Sequence, residues 1–264
     1  MSGPVGADFK PPVELALTRE RLRAVIYGEP DVGKTTFAAT FPRPLFIDTD
    51  HNLISIAVTG YKPIVFDPTG YRALEQLYFW MKQNRDRFDT IVWDSISTGQ
   101  RLLLNEIHDQ GIELDVAAGK PVKPVMRFTP EQGEHQAQQK QLERILTDLR
   151  RLGKHIVLTA GVRDDNGLRR PDLSPGNFSI LRYWPSLMGE LVVVTQDKDG
   201  VELPKPRRLL ITSPAGRAVK AKFASLRPGV WDPNFTTIWS RVEAEYAKAE
   251  ASQTKTADTK ERTA

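Results

Sequence analysis

The sequence predicts an α/β fold in which a mostly parallel sheet is flanked by helices and extended by a C-terminal antiparallel hairpin. Strand and helix patterns alternate between residues 23 and 160, which is typical of parallel strands joined by crossover helices. After about residue 181 this alternation stops, and two strand patterns flank a turn. A glycine-rich segment joins the first strand to the first helix, and it carries the strongest chemical signal.

Five apolar runs are predicted to be strands, and the continuous runs among them are typical of strands buried on both faces. These strands cover residues 23–27, 44–48, 63–66, 90–93 and 155–160. Helices are predicted at 71–84 and 131–152, where apolar residues recur at positions i, i+3, i+4 and i+7. The order of these elements predicts helices on both faces of the sheet.

The C-terminal third is predicted to contain a hairpin, a short strand and a last helix. Residues 191–195 and 208–212 are expected to pair around a turn at 197–200, and residues 218–224 to add a strand. Asp232 and Pro233 fit the N-cap and the first position of the last helix. The apolar stripe of that helix predicts core packing, and it consists of Phe235, Ile238, Trp239, Val242 and Tyr246.

One domain is predicted, over residues 21–247. Residues 1–20 are expected to form a flexible arm, and residues 248–264 a disordered tail because they carry almost no large apolar side chain. Two long loops are predicted at 111–132 and 163–178. Loops of this length are usually functional or disordered.

The composition excludes several classes of function. None of the 264 residues is cysteine, which excludes disulfides, thiolate catalysis and Cys-ligated zinc, and a cytoplasmic location is expected. No apolar run approaches the ~20 residues that span a bilayer, so no membrane partner is expected. The net charge of +4 permits nucleic-acid binding but does not argue for it.

The glycine-rich segment has the spacing G-x-x-x-x-G-K-T of a phosphate-binding P-loop, placed between a strand and a helix as that motif requires. Its residues are Gly28, Glu29, Pro30, Asp31, Val32, Gly33, Lys34, Thr35 and Thr36. We expect this segment to bind ATP, with Lys34 on the β- and γ-phosphates and the Thr35 hydroxyl on Mg²⁺. The alternative is a glycine-rich turn that binds no ligand.

Two further carboxylates are expected beside the P-loop. Asp94 ends the apolar run at 90–93, which is a Walker B pattern, and it is the predicted second residue for Mg²⁺. Hydrolysis also needs a group that positions or deprotonates water. Asp50 follows the strand at 44–48 and is the preferred candidate, while Asp48 is the alternative or a structural acid.

Several segments resemble parts of the RecA recombinases. Residues 45–53 resemble the segment that carries the catalytic carboxylate, and Asp94-Ser95 is similar to the Walker B pair of that family. Residues 155–163 resemble the strand that enters its second DNA-binding loop. Residues 219–224 resemble its V-K-x-K-x-A segment. The overall layout resembles short phage ATPases of the Sak single-strand-annealing type, an AAA-family group with a RecA core.

The resemblance implies a RecA-like P-loop NTPase that hydrolyses ATP with Mg²⁺, is stimulated by DNA, and works in phage recombination or annealing in the host cytoplasm. It implies single-stranded DNA, a single-strand-binding protein and further copies of the chain, in a ring or filament, as partners. In the family the two lysines reach the γ-phosphate of a neighbouring subunit, a role that falls here on Lys220 and Lys222. No arginine finger is visible near the Walker motifs.

The chain departs from the family pattern at two positions. Asp50 stands where the family has Glu, and Gly161 stands where it has a Gln that senses the γ-phosphate. Thr159 is a candidate substitute for that sensor. Two alternative functions stay open, a P-loop nucleotide kinase and a motor or loader ATPase that acts on a protein partner.

The two predicted loops carry the cations and flat side chains that single-stranded DNA requires. The candidate residues are Lys120, Lys123, Arg127 and Phe128 in the first loop, and Arg163, Arg169, Arg170, Asn177, Phe178, Arg182, Tyr183 and Trp184 in and after the second. The alternative is a solvated charged loop with its aromatic side chains packed beneath it.

Overall fold

The computed structural model describes residues 19–119, 131–196 and 199–261. The strands are β1 (Arg23–Tyr27), β2 (Pro44–Asp48), β3 (Ile64–Phe66), β4 (Thr90–Asp94), β5 (His155–Ala160), β6 (Val162–Asp165), β7 (Leu168–Pro171), β8 (Leu187–Gln196), β9 (Glu202–Ile211), β10 (Lys220–Ala221) and β11 (Val230–Trp231). The helices are α1 (Lys34–Ala39), α2 (Ile54–Ala57), α3 (Tyr71–Gln83), α4 (Ile96–Ala117), α5 (Gln132–Arg151), α6 (Pro175–Tyr183) and α7 (Phe235–Glu261).

The fold predicted from the sequence is confirmed. One sheet has the strand order β11-β9-β8-β1-β5-β4-β2-β3, and its strands from β3 through β8 are parallel. The strands β8, β9 and β11 pair antiparallel, which forms the predicted C-terminal hairpin extension. The short strand β10 also pairs antiparallel with β8. Because the parallel strands share one direction, their carboxyl ends meet at one edge of the sheet.

Every residue of β1, β2, β4 and β5 is buried, as expected for strands covered on both faces. Alternate residues of β1 face opposite cores. Val25 and Tyr27 pack with residues of α3 and α5, whereas Ala24 and Ile26 pack with residues of α1 and α7. Two apolar layers therefore fix the sheet and, with it, the loops at its carboxyl edge.

The prediction of a second long loop is wrong, because most of residues 163–178 form strands or helix. Strands β6 and β7 form a two-stranded hairpin with Asp164 opposite Arg169, and α6 begins at Pro175. A left-handed turn at Asn166 and Gly167 closes the hairpin, which is the conformation that Asn and Gly adopt most readily. Of the first predicted loop, residues 111–117 belong to α4, and residues 120–130 lie outside the described residues.

The last helix begins later than predicted. Asp232 has a left-handed backbone with φ of 43°, and the amide of Thr237 donates instead to the side chain of Asn234 at 2.9 Å. Asn234 is therefore the N-cap, a role for which Asn is well suited. The predicted apolar stripe packs as expected, with Ile238 and Val242 fully buried.

The predicted ends of the domain differ from the structure. Helix α7 continues to Glu261, so the predicted tail at 248–264 begins inside it, and its Ala, Lys and Glu content favours helix. At the other end, Arg19 pairs with Glu250 at 2.9 Å. Residues 1–18 of the predicted arm lie outside the described residues. None of the described helices is both long and apolar enough to cross a bilayer.

Candidate nucleotide-binding site

The P-loop connects β1 to α1 at the carboxyl edge of the sheet. Gly33 is the N-cap of α1 with a left-handed φ of 93°, which a residue with a side chain rarely adopts. Gly28 approaches β8 so closely that a Cβ there would lie 2.4 Å from the carbonyl oxygen of Leu191. Both glycines of the motif are therefore required by the backbone geometry of the loop.

Lys34 lies across this loop. Its Nζ donates to the carbonyl oxygens of Gly28 at 3.0 Å and Glu29 at 2.7 Å. Burial lowers the pKa of the Lys34 ammonium, and the nearby carboxylates of Asp94 and Asp50 oppose that shift. The side chain thus contributes charge to the site rather than packing to the core.

Asp94 ends β4 and is held by hydroxyl groups from two other elements. Thr35 donates from Oγ1 to Oδ2 of Asp94 at 2.6 Å, and Thr159 donates to Oδ1. Burial raises the pKa of the Asp94 carboxyl, while the two hydroxyl hydrogen bonds favour its charged form. A buried carboxylate is thereby fixed beside the P-loop hydroxyl.

The Thr35 and Asp94 oxygens suit Mg²⁺, which prefers hard oxygen ligands and takes one or two protein carboxylates together with substrate phosphates. Within the part of the chain that the structure describes, no group of three or more His, Asp or Glu residues could hold a metal alone. The donor set therefore fits a cation that arrives with a nucleotide.

Asp50 lies next to this pair. Its Oδ1 accepts a hydrogen bond from the Ser95 hydroxyl at 3.0 Å, and its amide donates to the carbonyl oxygen of Asp94 at 3.3 Å. Asp48 is only 8% exposed, and burial raises the pKa of its carboxyl. Asp50 lines the cleft described below and Asp48 does not, so access favours Asp50 as the group that would meet a water molecule.

A cleft of about 570 Å³ opens over the P-loop at the carboxyl edge of the sheet. Seven residues of the P-loop motif, Gly28, Pro30, Asp31, Gly33, Lys34, Thr35 and Thr36, share its wall with other residues that include Asp50, Asp94, Arg101, Asp172 and Arg208. Open α/β sheets bind ligands at this edge. The space and the charges suit a nucleoside triphosphate.

Comparison with known protein families decides the assignment. Residues 20–222, more than half of the chain, match the family described as an AAA domain. The chain belongs to this family. It is therefore a P-loop ATPase of the AAA type, in agreement with the fold and the geometry of the cleft.

Comparison with curated proteins gives no significant match. Solved structures that resemble this AAA-domain protein include a KaiC-like protein from the hyperthermophilic archaeon Pyrococcus horikoshii. The two share 14% sequence identity, with a TM-score of 0.43 over 73% of this chain and 78% of that chain.

Two arginines that line the cleft of this AAA-domain protein were not predicted from the sequence. No arginine finger was expected near the Walker motifs. Arg208 reaches the P-loop from β9, and its Nε donates to the carbonyl oxygen of Val32 at 2.9 Å. Arg101 lies on α4 and lines the same cleft. The sequence holds no signal for Arg208, because the hairpin alone brings it next to the loop.

The structure places Lys220 and Lys222 away from the cleft of their own chain. Lys220 pairs in register with Met188, near the start of β8, and its Nζ donates to the carbonyl oxygen of Tyr183 at 2.6 Å. Lys222 lies 4.0 Å from the carboxylate of Glu20. Both lysines are therefore near the amino end of β8, whereas the P-loop is beside its later residues.

Thr159 and Gly161 lie in different surroundings, since one is buried and the other lines the cleft. Thr159 is fully buried and its hydroxyl is engaged by Asp94, so this side chain does not line the cleft. Gly161 lines the cleft, and its amide donates to the hydroxyl of Ser97 at 3.0 Å. Asp172 packs beside Gly161 and is the side chain nearest to the position at which the RecA recombinases carry a sensor Gln.

Most of the second-loop residues that were predicted to contact DNA make contacts within the protein instead. Arg170 is 3% exposed, pairs with Asp165 and lies over the ring of Phe178. Arg169 is shared between Glu29 of the P-loop and the buried Glu190. The exposed members of the set are Arg163, Arg182 and Tyr183, and those on 120–130 lie outside the described residues.

Proposed function

We propose that this AAA-domain protein is a Mg²⁺-dependent ATPase that acts on single-stranded DNA in phage recombination or annealing, as the Sak-type resemblance implies. The observation that carries the proposal is the contact between Thr35 and Asp94, with Asp50 beside it on Ser95. These groups are the parts that ATP hydrolysis needs, a phosphate-binding loop, oxygen ligands for the metal and a carboxylate for water.

Each residue has a role in this scheme. The P-loop backbone and Lys34 bind the phosphates, and Thr35 with Asp94 would hold Mg²⁺. When bound there, the metal would supply positive charge that offsets the negative charge of the phosphate oxygens. Asp50 orients a water molecule and accepts its proton as that water attacks the γ-phosphorus, and ADP with inorganic phosphate leaves.

The position of the β6–β7 hairpin supports DNA as the partner. This hairpin follows β5 after Gly161, which lines the nucleotide cleft, and Arg169 links it to Glu29 of the P-loop at 3.0 Å. Arg163 on β6 is exposed. An exposed cation on this hairpin is suited to the phosphates of a single strand.

The positions of Lys220 and Lys222 support an assembly. Neither lysine lines the cleft of its own chain, so a contact with ATP requires the cleft of another copy. Burial lowers the pKa of the Lys220 ammonium, and the positive charges of Lys222 and Arg23 lower it further. An anion brought by a neighbouring subunit would relieve this repulsion. We propose a ring or filament in which ATP lies between adjacent copies.

Binding of DNA is tested with a fluorescent single strand and a non-hydrolysable ATP analogue. Charge removal in Arg163→Ala should weaken binding and lower the slope of its salt dependence by about 1. Arg85→Ala is the matched control, because Arg85 is exposed at the amino end of β4, away from the cleft. Equal DNA affinity of Arg163→Ala and the control would refute this surface, and no binding by the parent would refute the DNA assignment.

A further inference from the structure

Arg208 is the arginine that the hairpin brings to the P-loop. It lies on β9 opposite Val193 of β8, and its guanidinium reaches the loop from the β8 side of β1. A Cβ on Gly33 would lie 2.5 Å from Nε of Arg208. Because Gly33 has no side chain, the guanidinium can occupy the space beside it.

Arg208 is held in place at two points, one on its side chain and one on its backbone. Its Nε donates to the carbonyl oxygen of Val32 at 2.9 Å, and the Arg208 amide donates to a carboxylate oxygen of Asp232 at 3.1 Å. Asp232 also pairs with Arg207 at 2.8 Å, so the strand is fixed beside the loop. An arginine positioned in this way loses little conformational freedom when it meets a ligand.

The charge of Arg208 is not neutralised by a carboxylate in the part of the chain that the structure describes. Neighbouring arginines differ in this respect, because Arg207 pairs with Asp232 and Arg217 pairs with the buried Glu190. The Nη groups of Arg208 have no acceptor among the described residues, although the side chain lines the nucleotide cleft. Guanidinium N–H groups match the oxygens of a phosphate.

We propose that Arg208 binds the phosphate chain of the nucleotide held by the P-loop of the same chain. Nε stays on Val32, and an Nη group donates to a phosphate oxygen. The hairpin is then part of the nucleotide site, and a cation within the chain assists Lys34. This inference rests on nucleotide binding by the P-loop, which the proposed function also requires.

Calorimetric titration of the purified protein with Mg²⁺-ATP and Mg²⁺-ADP tests the proposal. Arg208→Ala should weaken the binding of both nucleotides by about 10-fold or more, because it removes a hydrogen bond between charged groups. Arg208→Lys should retain part of the affinity. Arg85→Ala is the matched control, since Arg85 is exposed at the amino end of β4, away from the cleft, and this variant should bind as the parent does.

Salt dependence separates a phosphate contact from a purely structural one. If Arg208 meets a phosphate, the affinity of Arg208→Ala should fall less steeply with added salt than that of the parent, while the unfolding temperature without nucleotide stays the same. Parental affinity in Arg208→Ala, or weaker binding with the parental salt dependence, would overturn the inference and leave the proposed function intact. If the parent itself bound no ATP, both would fail.

Discussion

The Oγ1 atom of Thr35 lies 2.6 Å from Oδ2 of Asp94, although 59 positions separate the two residues in the sequence. The contact joins the P-loop after β1 to the carboxyl end of β4, two strands away in the sheet. Thr159 on the intervening strand β5 donates to the other oxygen of the same carboxylate. Three neighbouring parallel strands therefore position the Asp94 carboxylate, the proposed metal ligand, and hold it from both sides.

Lys34→Ala should abolish ATP binding and turnover while the fold remains intact. Among the described residues, Nζ of Lys34 bonds to two carbonyl oxygens of its own loop and to no other group. Burial lowers the pKa of the ammonium, so its loss costs the free protein little. ATP titration and circular dichroism measure the two effects. Lys62→Ala, at an exposed position away from the cleft, is the control. Parental hydrolysis by a folded Lys34→Ala protein would disprove the nucleotide site.

Asp50→Asn should retain nucleotide binding and slow hydrolysis on the order of 10²-fold, the usual contribution of a general base. The amide can still accept from Ser95, so the local structure should persist. Single-turnover hydrolysis measures the chemical step. Asp48→Asn is the comparison, because Asp48 is buried outside the cleft. Full activity in Asp50→Asn would assign the base to Asp48 or to another subunit.

Asp94→Asn should weaken Mg²⁺-dependent ATP binding without lowering the unfolding temperature of the free protein. Burial raises the pKa of the Asp94 carboxyl above its ordinary value, so the ionised group destabilises the fold near neutral pH. The neutral amide removes that cost. Titration of Mg²⁺ at fixed ATP together with thermal unfolding provides both readouts, and unchanged Mg²⁺ dependence would exclude Asp94 from the metal site.

His155 should make the stability depend on pH below neutrality. Burial lowers the pKa of its imidazole from 6.5 to about 4, and its Nδ1 accepts from the amide of Leu22 at 3.1 Å. The unfolded chain therefore binds a proton between these values while the folded chain does not, and stability falls as pH drops from 6.5 towards 4 by up to about 3 kcal/mol. Urea unfolding across this range should show a smaller loss in His155→Gln, and identical pH profiles would contradict the assignment.

Two inactive variants should restore activity when they are mixed. Lys34→Ala lacks the P-loop cation, and Lys220→Ala/Lys222→Ala lacks the lysines proposed to reach a neighbouring ATP. In mixed assemblies some interfaces combine an intact P-loop with intact lysines, so ATP hydrolysis should partly return. No recovery, with a monomer by light scattering under ATP and DNA, would disprove the lysine contact between subunits.

The sequence predicts the parallel part of the sheet well because burial and chain direction dictate it. β1, β2 and β5 have their predicted bounds, since continuous apolar runs end where polar residues begin. Helix α4 was not predicted, and Gly99 lies in its first turn although glycine disfavours helix. A Cβ at that position would meet the ring of Trp93 at 2.6 Å, so tertiary packing explains the glycine.

Contacts made by the hairpins could not be predicted from the sequence. Arg208 reaches the P-loop only through the antiparallel register of β8 and β9, which shifts at an irregularity between Val194 and Gln196. A run of charged residues in the sequence also does not show which of the charged side chains are exposed to solvent. Arg170 is buried and pairs with Asp165, whereas Arg163 on the same hairpin is exposed.

Steady-state ATP hydrolysis with and without single-stranded DNA tests the central claim most directly. We expect Mg²⁺-dependent hydrolysis that single-stranded DNA stimulates and duplex DNA does not, with no activity in Lys34→Ala. Hydrolysis at one rate in the presence and absence of single-stranded DNA would contradict the DNA assignment and favour an ATPase that acts on a protein partner. Absence of Mg²⁺-dependent hydrolysis under either condition would contradict the assignment of the cleft as an ATPase site.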